Sequence, residues 1–570
     1  MTAKQSPSAK GMNSFLRVFW EKYGMMKSIM ILSSVMFSVS AYAYRYDFEY
    51  DGMYFLLLSP EKQECVLTGF NSVSRDTVVI PEIINYLGRD IKVVDIFNNW
   101  EIEKVYDTIK YLSIPGSLQS LESDVFTKLP ELKTLVIEGG GQELFLRDLD
   151  SNYEFPKLEH LKLGREVIPP IFKKHPMLRK VEICDSLEYL PSQYFELCTN
   201  LERVDLGDHL KYVGGDAFSY TKIDSLEVPP NVERIVGGAF SNIPLKYVHI
   251  QKSQEELPAP FVLEPAFGQM LEKIVIERPI TTIDYNVAVF SPLKSDKLKD
   301  IELINIGKIP NMLFHGCNEI KTIKISGDIS EIGKYAFKGC EELEGFQNIE
   351  GLEPLNFDNI AYIGSYAFEG CKKMNHLIIP ENLTSIERGV YSNCTFPEIL
   401  VIPDAVEDIG EEAFYECENV NLLKIGKNCK RIKKLAFYKN GIIPEIMCEA
   451  VVPPGISEYT FSNAIYMHAV LYVPKESLEA YSSAEGWKLF WNIKTLDQAG
   501  IEDVLTENKY SIQVQGEEVV IQGAENSLVR VFTPAGKVVY NVSDYKGNPI
   551  RLGSGIYIVN IDGTSHKISL

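Results

Sequence analysis

Along most of the chain, short runs that alternate apolar and polar residues recur in pairs. Aligned, "LERVDLGDHLKYVGGDAF" (201–218), "IDSLEVPPNVERIVGGAF" (223–240) and "IKTIKISGDISEIGKYAF" (320–337) each show two such runs and then an Ala-Phe pair. Period-two alternation predicts a strand with one face turned inward. In the first run the inward pairs go from Val78 and Ile80 through Leu161 and Leu163, Val204 and Leu206, Ile323 and Ile325, and Leu377 and Ile379 to Leu471 and Val473, sixteen pairs in all. A slip of one residue would turn every one of them to solvent, so the register is strongly specified.

The spacing of the copies sets the architecture. "IGKYAFKGC" begins at Ile332, "IGSYAFEGC" at Ile363 and "IGEEAFYEC" at Ile409; Ile363 and Ile409 are 46 residues apart, and the degenerate copy "IERGVYSNC" begins halfway at Ile386. The period is 23. Units of that size cannot bury an apolar face alone and must stack on their neighbours, which predicts a solenoid. Sixteen parallel strands at about 4.8 Å would form a body roughly 75 to 80 Å long. Phe218, Phe240, Phe337, Phe368, Phe414 and Phe437 are expected to wedge between units. Cys317, Cys340, Cys371, Cys394 and Cys417 hold one repeat position and are expected to form a buried column of thiols, near enough to one another for disulfide geometry to be conceivable. Pro81, Pro115, Pro380, Pro403 and Pro474 follow strands and end their pairing.

Both ends depart from the pattern. Lys27 precedes an apolar and small-residue run from Ile29 to Val39, and Ala41-Tyr42-Ala43 then offers a small-x-small cleavage site. This order predicts a secretory signal peptide over about 25–43, with translation starting at Met25 or Met26 and a mature end at Tyr44. After Leu496 the period stops. Residues 511–570 form short alternating runs broken by Gly, Asn and Pro, as expected of a small β-sandwich.

Composition narrows the function classes. With 57 Lys and Arg against 78 Asp and Glu the formal charge is −21, which repels phosphate backbones and argues against a nucleic-acid partner. The eight His residues are scattered singly, no C-x-x-C pair occurs, Gly139-Gly140-Gly141 lacks the Lys-Ser/Thr of a phosphate loop, and Gly553-Ser554-Gly555 lacks the spacing of a nucleophile elbow. No catalytic residue, metal ligand or cofactor is assigned, and a non-enzyme is expected. Trp487 and Trp491 stand four apart like a sugar-stacking pair, but Trp487 with Leu478, Tyr481 and Phe490 better suits the cover that the last repeat needs.

The repeat "LVIPDAVEDIGEEAFYEC" resembles that of BspA-like leucine-rich repeat proteins, and the resemblance covers about 76–495. "FEYDGMYFLLLSPEKQECVLTGF" with "VVIPEIINYLGRDIKVVDI" is similar to the family's entry cap, with Gly88-Arg89-Asp90 turning a hairpin, and "LYVPKESLEAYSSAEGWKLFWNI" is similar to its exit cap. The final domain, with Val529 to Tyr540 and Gly555 to Val559, resembles the sorting domain of type IX secretion. The fold class expected is therefore mainly β: a leucine-rich repeat solenoid of about 23-residue repeats with parallel stacked strands, followed by a small C-terminal β-sandwich. Its layout is a signal region at 1–43, an entry cap and first repeat at 44–100, repeats and exit cap at 101–495, a linker at 496–510 and the sandwich at 511–570. The resemblances imply a secreted or outer-surface protein of a Gram-negative bacterium that adheres to host extracellular-matrix or cell-surface proteins or to other cells, and engages the secretion machinery through its last domain. Glycan capture for nutrient uptake is the alternative.

The residues that the repeat does not need are those facing outward. From His160 to Lys324 only Tyr247 and Val275 among sixteen such positions are apolar or aromatic; from His376 onward seven of ten are: Ile378, Ile399, Val401, Leu422, Met447, Val470 and Tyr472. That strip is the candidate binding site. A partner, a cover formed by the sandwich or exit cap, and no role at all remain open at this stage.

Overall fold

The computed structural model describes residues 46–498 and 511–569 apart from short internal segments, the longest of them 97–104, 148–156, 254–259, 283–291 and 350–358. The signal region, most of the linker, and Leu377 and Ile378 lie outside the described residues. Contacts divide the chain into two units, 1–74 with 82–103, and 75–81 with 104–570.

In the first unit, strands Phe48–Tyr50, Met53–Ser59, Glu64–Phe70 and Arg89–Ile96 lie side by side, and Ile83–Tyr86 pairs antiparallel with Arg89–Ile96. The predicted hairpin is present, but its turn is Leu87-Gly88. Both residues have positive φ, 53° and 79°, while Arg89 and Asp90 are already paired with Tyr86 and Asn85. Two successive left-handed residues match the twist of a two-residue hairpin. Asp51 and Gly52, φ 48° and 71°, turn the preceding hairpin in the same way.

The second unit is mainly β, with parallel strands stacked into a solenoid of about 23-residue turns. The first strand of each turn builds three successive parallel sheets. Six strands run from Thr77–Val79 to Arg203–Asp205, six from Ser225–Val228 to Gly345–Asn348, and five from Ile399–Ile402 to Asn492–Thr495. Inward residues stay in register from turn to turn, as in Leu135↔Leu161↔Val181, and are buried. Shorter strands such as Asp408–Ile409 and Arg431–Ile432 form a second set of parallel ladders. The Ala-Phe pairs form a third, in which the Phe337 N–H donates to Ala367 O at 2.8 Å and the Phe414 N–H to Ala436 O at 2.8 Å. Three ladders per turn satisfy the backbone that stacking buries.

The expected phenylalanine wedge is a continuous ladder. Phe314, Phe337, Phe368, Tyr391, Phe414, Phe437 and Phe461 stack with centroids 5.1–5.8 Å apart, Tyr391 taking the Phe place in the degenerate copy. None of the ten cysteines is in a disulfide. The column thiols instead donate one turn back: Cys340 Sγ to Phe314 O at 3.1 Å, Cys371 to Phe337 O at 3.3 Å, Cys394 to Phe368 O at 3.0 Å and Cys417 to Tyr391 O at 3.0 Å. Two strands of these sheets have no counterpart among the sixteen predicted pairs: Asn492–Thr495, at the end of the exit cap, and Gly345–Asn348. The latter lies beside Thr322–Ser326 with Phe346 and Asn348 where the aliphatic pair would be, which is why alternation did not reveal it.

Residues 511–569 form two antiparallel sheets, Ser511–Gln515 with Glu518–Gln522 and Ile550–Arg551, and Val529–Phe532 with Val538–Val542, Ile556–Ile561 and Thr564–Ser569. Val519, Ile521 and Ile550 of one pack with Val529, Val531, Val559 and Ile561 of the other, the arrangement of a sandwich.

Candidate functional site

Strand parity places the candidate residues. In the last sheet, Ile399–Ile402, Leu422–Ile425, Glu445–Cys448, Val470–Val473 and Asn492–Thr495 are neighbours in that order. Leu400, Leu423, Ile446 and Leu471 point inward and are buried. The opposite face carries two rows, Ile399↔Leu422↔Glu445↔Val470↔Asn492 and Val401↔Lys424↔Met447↔Tyr472↔Lys494. Six of the seven candidates are thus brought together on one face, and Ile378 lies outside the described residues.

They are not equally accessible. Ile399 is 43% and Val401 42% exposed, and Leu422 and Val470 are half-buried. Met447 and Tyr472 are buried, at 5% and 6%, because Leu496 from the turn Leu496–Gln498 packs on them together with Leu422 and Val470. The six described candidates share one face but do not form one exposed strip: the turn that follows the exit cap covers its far end, and the exposed apolar surface centres on Ile399 and Val401. Burial first, then the Glu445 carboxylate beside it, pushes the Tyr472 hydroxyl up. Lys424 interrupts the strip but turns to Glu449 at 3.0 Å.

The charged part of the outward face is largely self-compensated. Lys273 reaches Asp300 at 3.0 Å and Glu302 at 3.1 Å, and Lys324 reaches the same two at 3.2 and 3.4 Å. Burial pushes the Asp300 carboxyl up, but the two lysines outweigh it and hold the group below its ordinary value. His249 lies 2.7 Å from Glu227 and 3.4 Å from Glu277. Such exposed pairs contribute about 0–1 kcal/mol each, and their charges are not available for long-range attraction.

Among the described residues, no cluster of three His, Cys, Asp or Glu is placed to hold a metal. Burial pushes the Cys198 and Cys394 thiols up to about 12, opposite to what a nucleophilic cysteine needs. His175 is buried, and its Nδ1 accepts from the N–H groups of Met177 and Leu178.

The tryptophan pair is split. Trp487 is fully buried, with Nε1 donating to Pro454 O at 2.7 Å, and with Tyr481 and Phe490 it closes the last repeat as expected. Trp491 is 76% exposed. The four-residue spacing carried no sign of this, since the cap turns through a short 3-10 helix, Trp487–Leu489, between the two rings.

A family model described as the BspA type leucine rich repeat region, in six copies, matches residues 165–261, 262–356 and 344–468, more than half of the chain. No curated protein matches the chain by sequence. Among solved structures, a leucine-rich repeat protein from Bacteroides ovatus is 20% identical over 79% of this chain and 100% of its own, with a TM-score of 0.41. A leucine rich cell surface protein from Faecalibacterium prausnitzii is 16% identical over 70% and 93%, with a TM-score of 0.24. The pneumococcal vaccine antigen PcpA is 14% identical over 79% and 98%, with a TM-score of 0.29.

Proposed function

Because the chain belongs to the BspA-type leucine-rich repeat family, we propose that it is an exported, non-enzymatic surface protein that binds other macromolecules through the outward face of its repeat sheets. The partners proposed are host extracellular-matrix or cell-surface proteins and the surfaces of other cells. The observation that carries the reading is the apolar surface around Ile399 and Val401, with Leu422 and Val470 beside it, on a face of the sheet that the core does not require. Exposed, contiguous apolar side chains usually mark an interaction surface. A broad sheet face suits contact with a macromolecule.

Export by the segment from Lys27 to Ala43, and delivery to the outer surface through residues 511–570 as a type IX sorting domain, belong to the same proposal. Glycan capture is the second reading, and the exposed indole of Trp491 favours it. Binding of the full chain to a panel of matrix proteins, run beside a glycan array, tests both. A matrix ligand whose binding falls about tenfold in Val401→Glu is the expected result. Matrix binding unchanged by that substitution, or binding confined to the array, would remove the first reading.

A further inference from the structure

The sheet that carries Ile399 and Val401 ends at Asn492–Thr495, and among the described residues no strand pairs with its outer edge. Earlier strands show which residues face that way. The Leu422 N–H donates back to Glu398 O and the Gly426 N–H to Ile402 O, so outward residues bond to the preceding strand and inward residues to the following one. Ile493 and Thr495 stand at the inward positions, opposite Leu471 and Val473. The Thr495 N–H is indeed turned from the sheet, accepted by Gln498 Oε1 at 3.2 Å. The main-chain N–H and C=O of Ile493 are therefore presented at an open edge.

The side chains of the strand and of the four residues before it define what the edge can hold. Trp491 is 76% and Leu489 38% exposed, which supplies apolar contact at one end. Lys488 and Lys494 are exposed and make no ion pair among the described residues, whereas Lys475 of the same cap is paired with Asp497. A sheet edge with such anchors is a template for strand addition, in which main-chain bonds provide the affinity and alternate side chains the selectivity. Two-fold pairing with a second copy would bring Lys494 near its own counterpart. An acidic segment avoids that like-charge contact and offers carboxylates to Lys488 and Lys494, a local attraction that has to outweigh the chain's overall charge of −21.

We propose that the open edge at Asn492–Thr495, flanked by Trp491, Lys488 and Lys494, docks an extended acidic peptide segment of a partner protein as an added strand. This rests on the macromolecular-binding reading above and gives it a second, separate contact. The probe is a blocked, fluorescent decapeptide of alternating valine and glutamate, compared with the same peptide N-methylated at alternate residues and with a lysine-for-glutamate version. In the full chain, Ile493→Pro removes the edge donor, and Lys494→Glu reverses the charge. Binding should fall about tenfold with Ile493→Pro, with Lys494→Glu and with the methylated probe, and the lysine peptide should bind poorly except to Lys494→Glu. Where Ile493→Pro lowers the melting temperature, the methylated probe and Lys494→Glu decide alone. Absence of probe binding, or binding indifferent to methylation and to Lys494→Glu, overturns the proposal. So does a dimer in sedimentation that Ile493→Pro abolishes, an Ile493 amide protected from exchange in the monomer, or a glycan ligand lost in Trp491→Ala without peptide binding. Val401→Glu should leave probe binding intact, so failure at the edge and failure at the sheet face are read separately.

Discussion

At Gly389 the backbone has φ of +62°, and a Cβ built there would lie 2.2 Å from Cε1 of Tyr366. The same turn position is filled by Tyr335, Tyr366, Glu412 and Leu435, all with φ between 57° and 61°, so each repeat imposes a left-handed residue before its Ala-Phe pair. Non-glycine residues there carry about 1–2 kcal/mol of local strain. Gly389→Ala should lose at least about 2 kcal/mol in urea unfolding, because the ring of Tyr366 adds to that strain. Lys439→Gly, at an exposed residue with φ of 62°, should change stability by less than about 1 kcal/mol. Equal losses in the two would show that the turn does not impose the conformation.

The thiols make a second prediction at the residue scale. In the folded chain burial pushes Cys394 up to about 12, and Cys340, Cys371 and Cys417 also stand well above the ordinary thiol value. Below about pH 8.5 folded and unfolded states both keep these protons, and stability does not depend on them. Above it the unfolded chain releases protons that the folded chain retains, so stability falls as pH rises toward 12, by about 1.4 kcal/mol per unit for each thiol. Unfolding between pH 7.5 and 10 should show this slope, and Cys394→Ala should reduce it by one thiol's share. A slope unchanged by that substitution would assign base lability to other groups.

At the scale of the element, two residues of the same outward row respond oppositely. Val401→Glu puts a charge on a side chain already 42% exposed and should shift stability by less than about 1 kcal/mol. Tyr472→Glu puts one under Leu496 and should lower stability by about 2–4 kcal/mol, with loss of the packing that joins Tyr472 to Met447. Thermal melts of the two single variants check it, and equal melts would mean that Leu496 does not hold its place. The sequence reading put both on one face and left open whether a cover or a partner meets it. Parity is a local property of a strand, and it located Val401 and Tyr472 correctly on the same side. Cover depends on where the chain goes after Thr495, and no periodic signal encodes that. The same limit explains Trp491, whose exposure follows from the turn after Trp487, and Gly345–Asn348, whose Phe and Asn break the aliphatic pattern though the strand pairs normally. What alternation and period did specify was the stacking itself: Leu135, Leu161 and Val181 must align, because any other register exposes them all.

For the whole molecule, the question is which parts stand without the others. A repeat array gains stability from each interface between neighbouring turns and needs its open apolar ends closed. Trp487, Tyr481 and Phe490 close the exit end with side chains that come before Leu496. The sandwich has its own core, with Val519, Ile521, Val529, Val531, Val559 and Ile561 all fully buried. Among the described residues, the side chains packed on the sandwich core all come from the sandwich itself, so deleting 511–570 should leave the repeats folded, with a melting temperature within about 2 °C of that transition in the full chain. If the sandwich is a sorting domain, the same deletion should hold the protein in the periplasm while the full chain reaches the outer surface. Fractionation and melting of one truncated protein read the two claims independently. A truncated chain that unfolds early would show that the cap at Trp487 does not suffice. One that melts normally and still reaches the surface would leave the sandwich without a sorting role, and would place the device for display elsewhere in the chain.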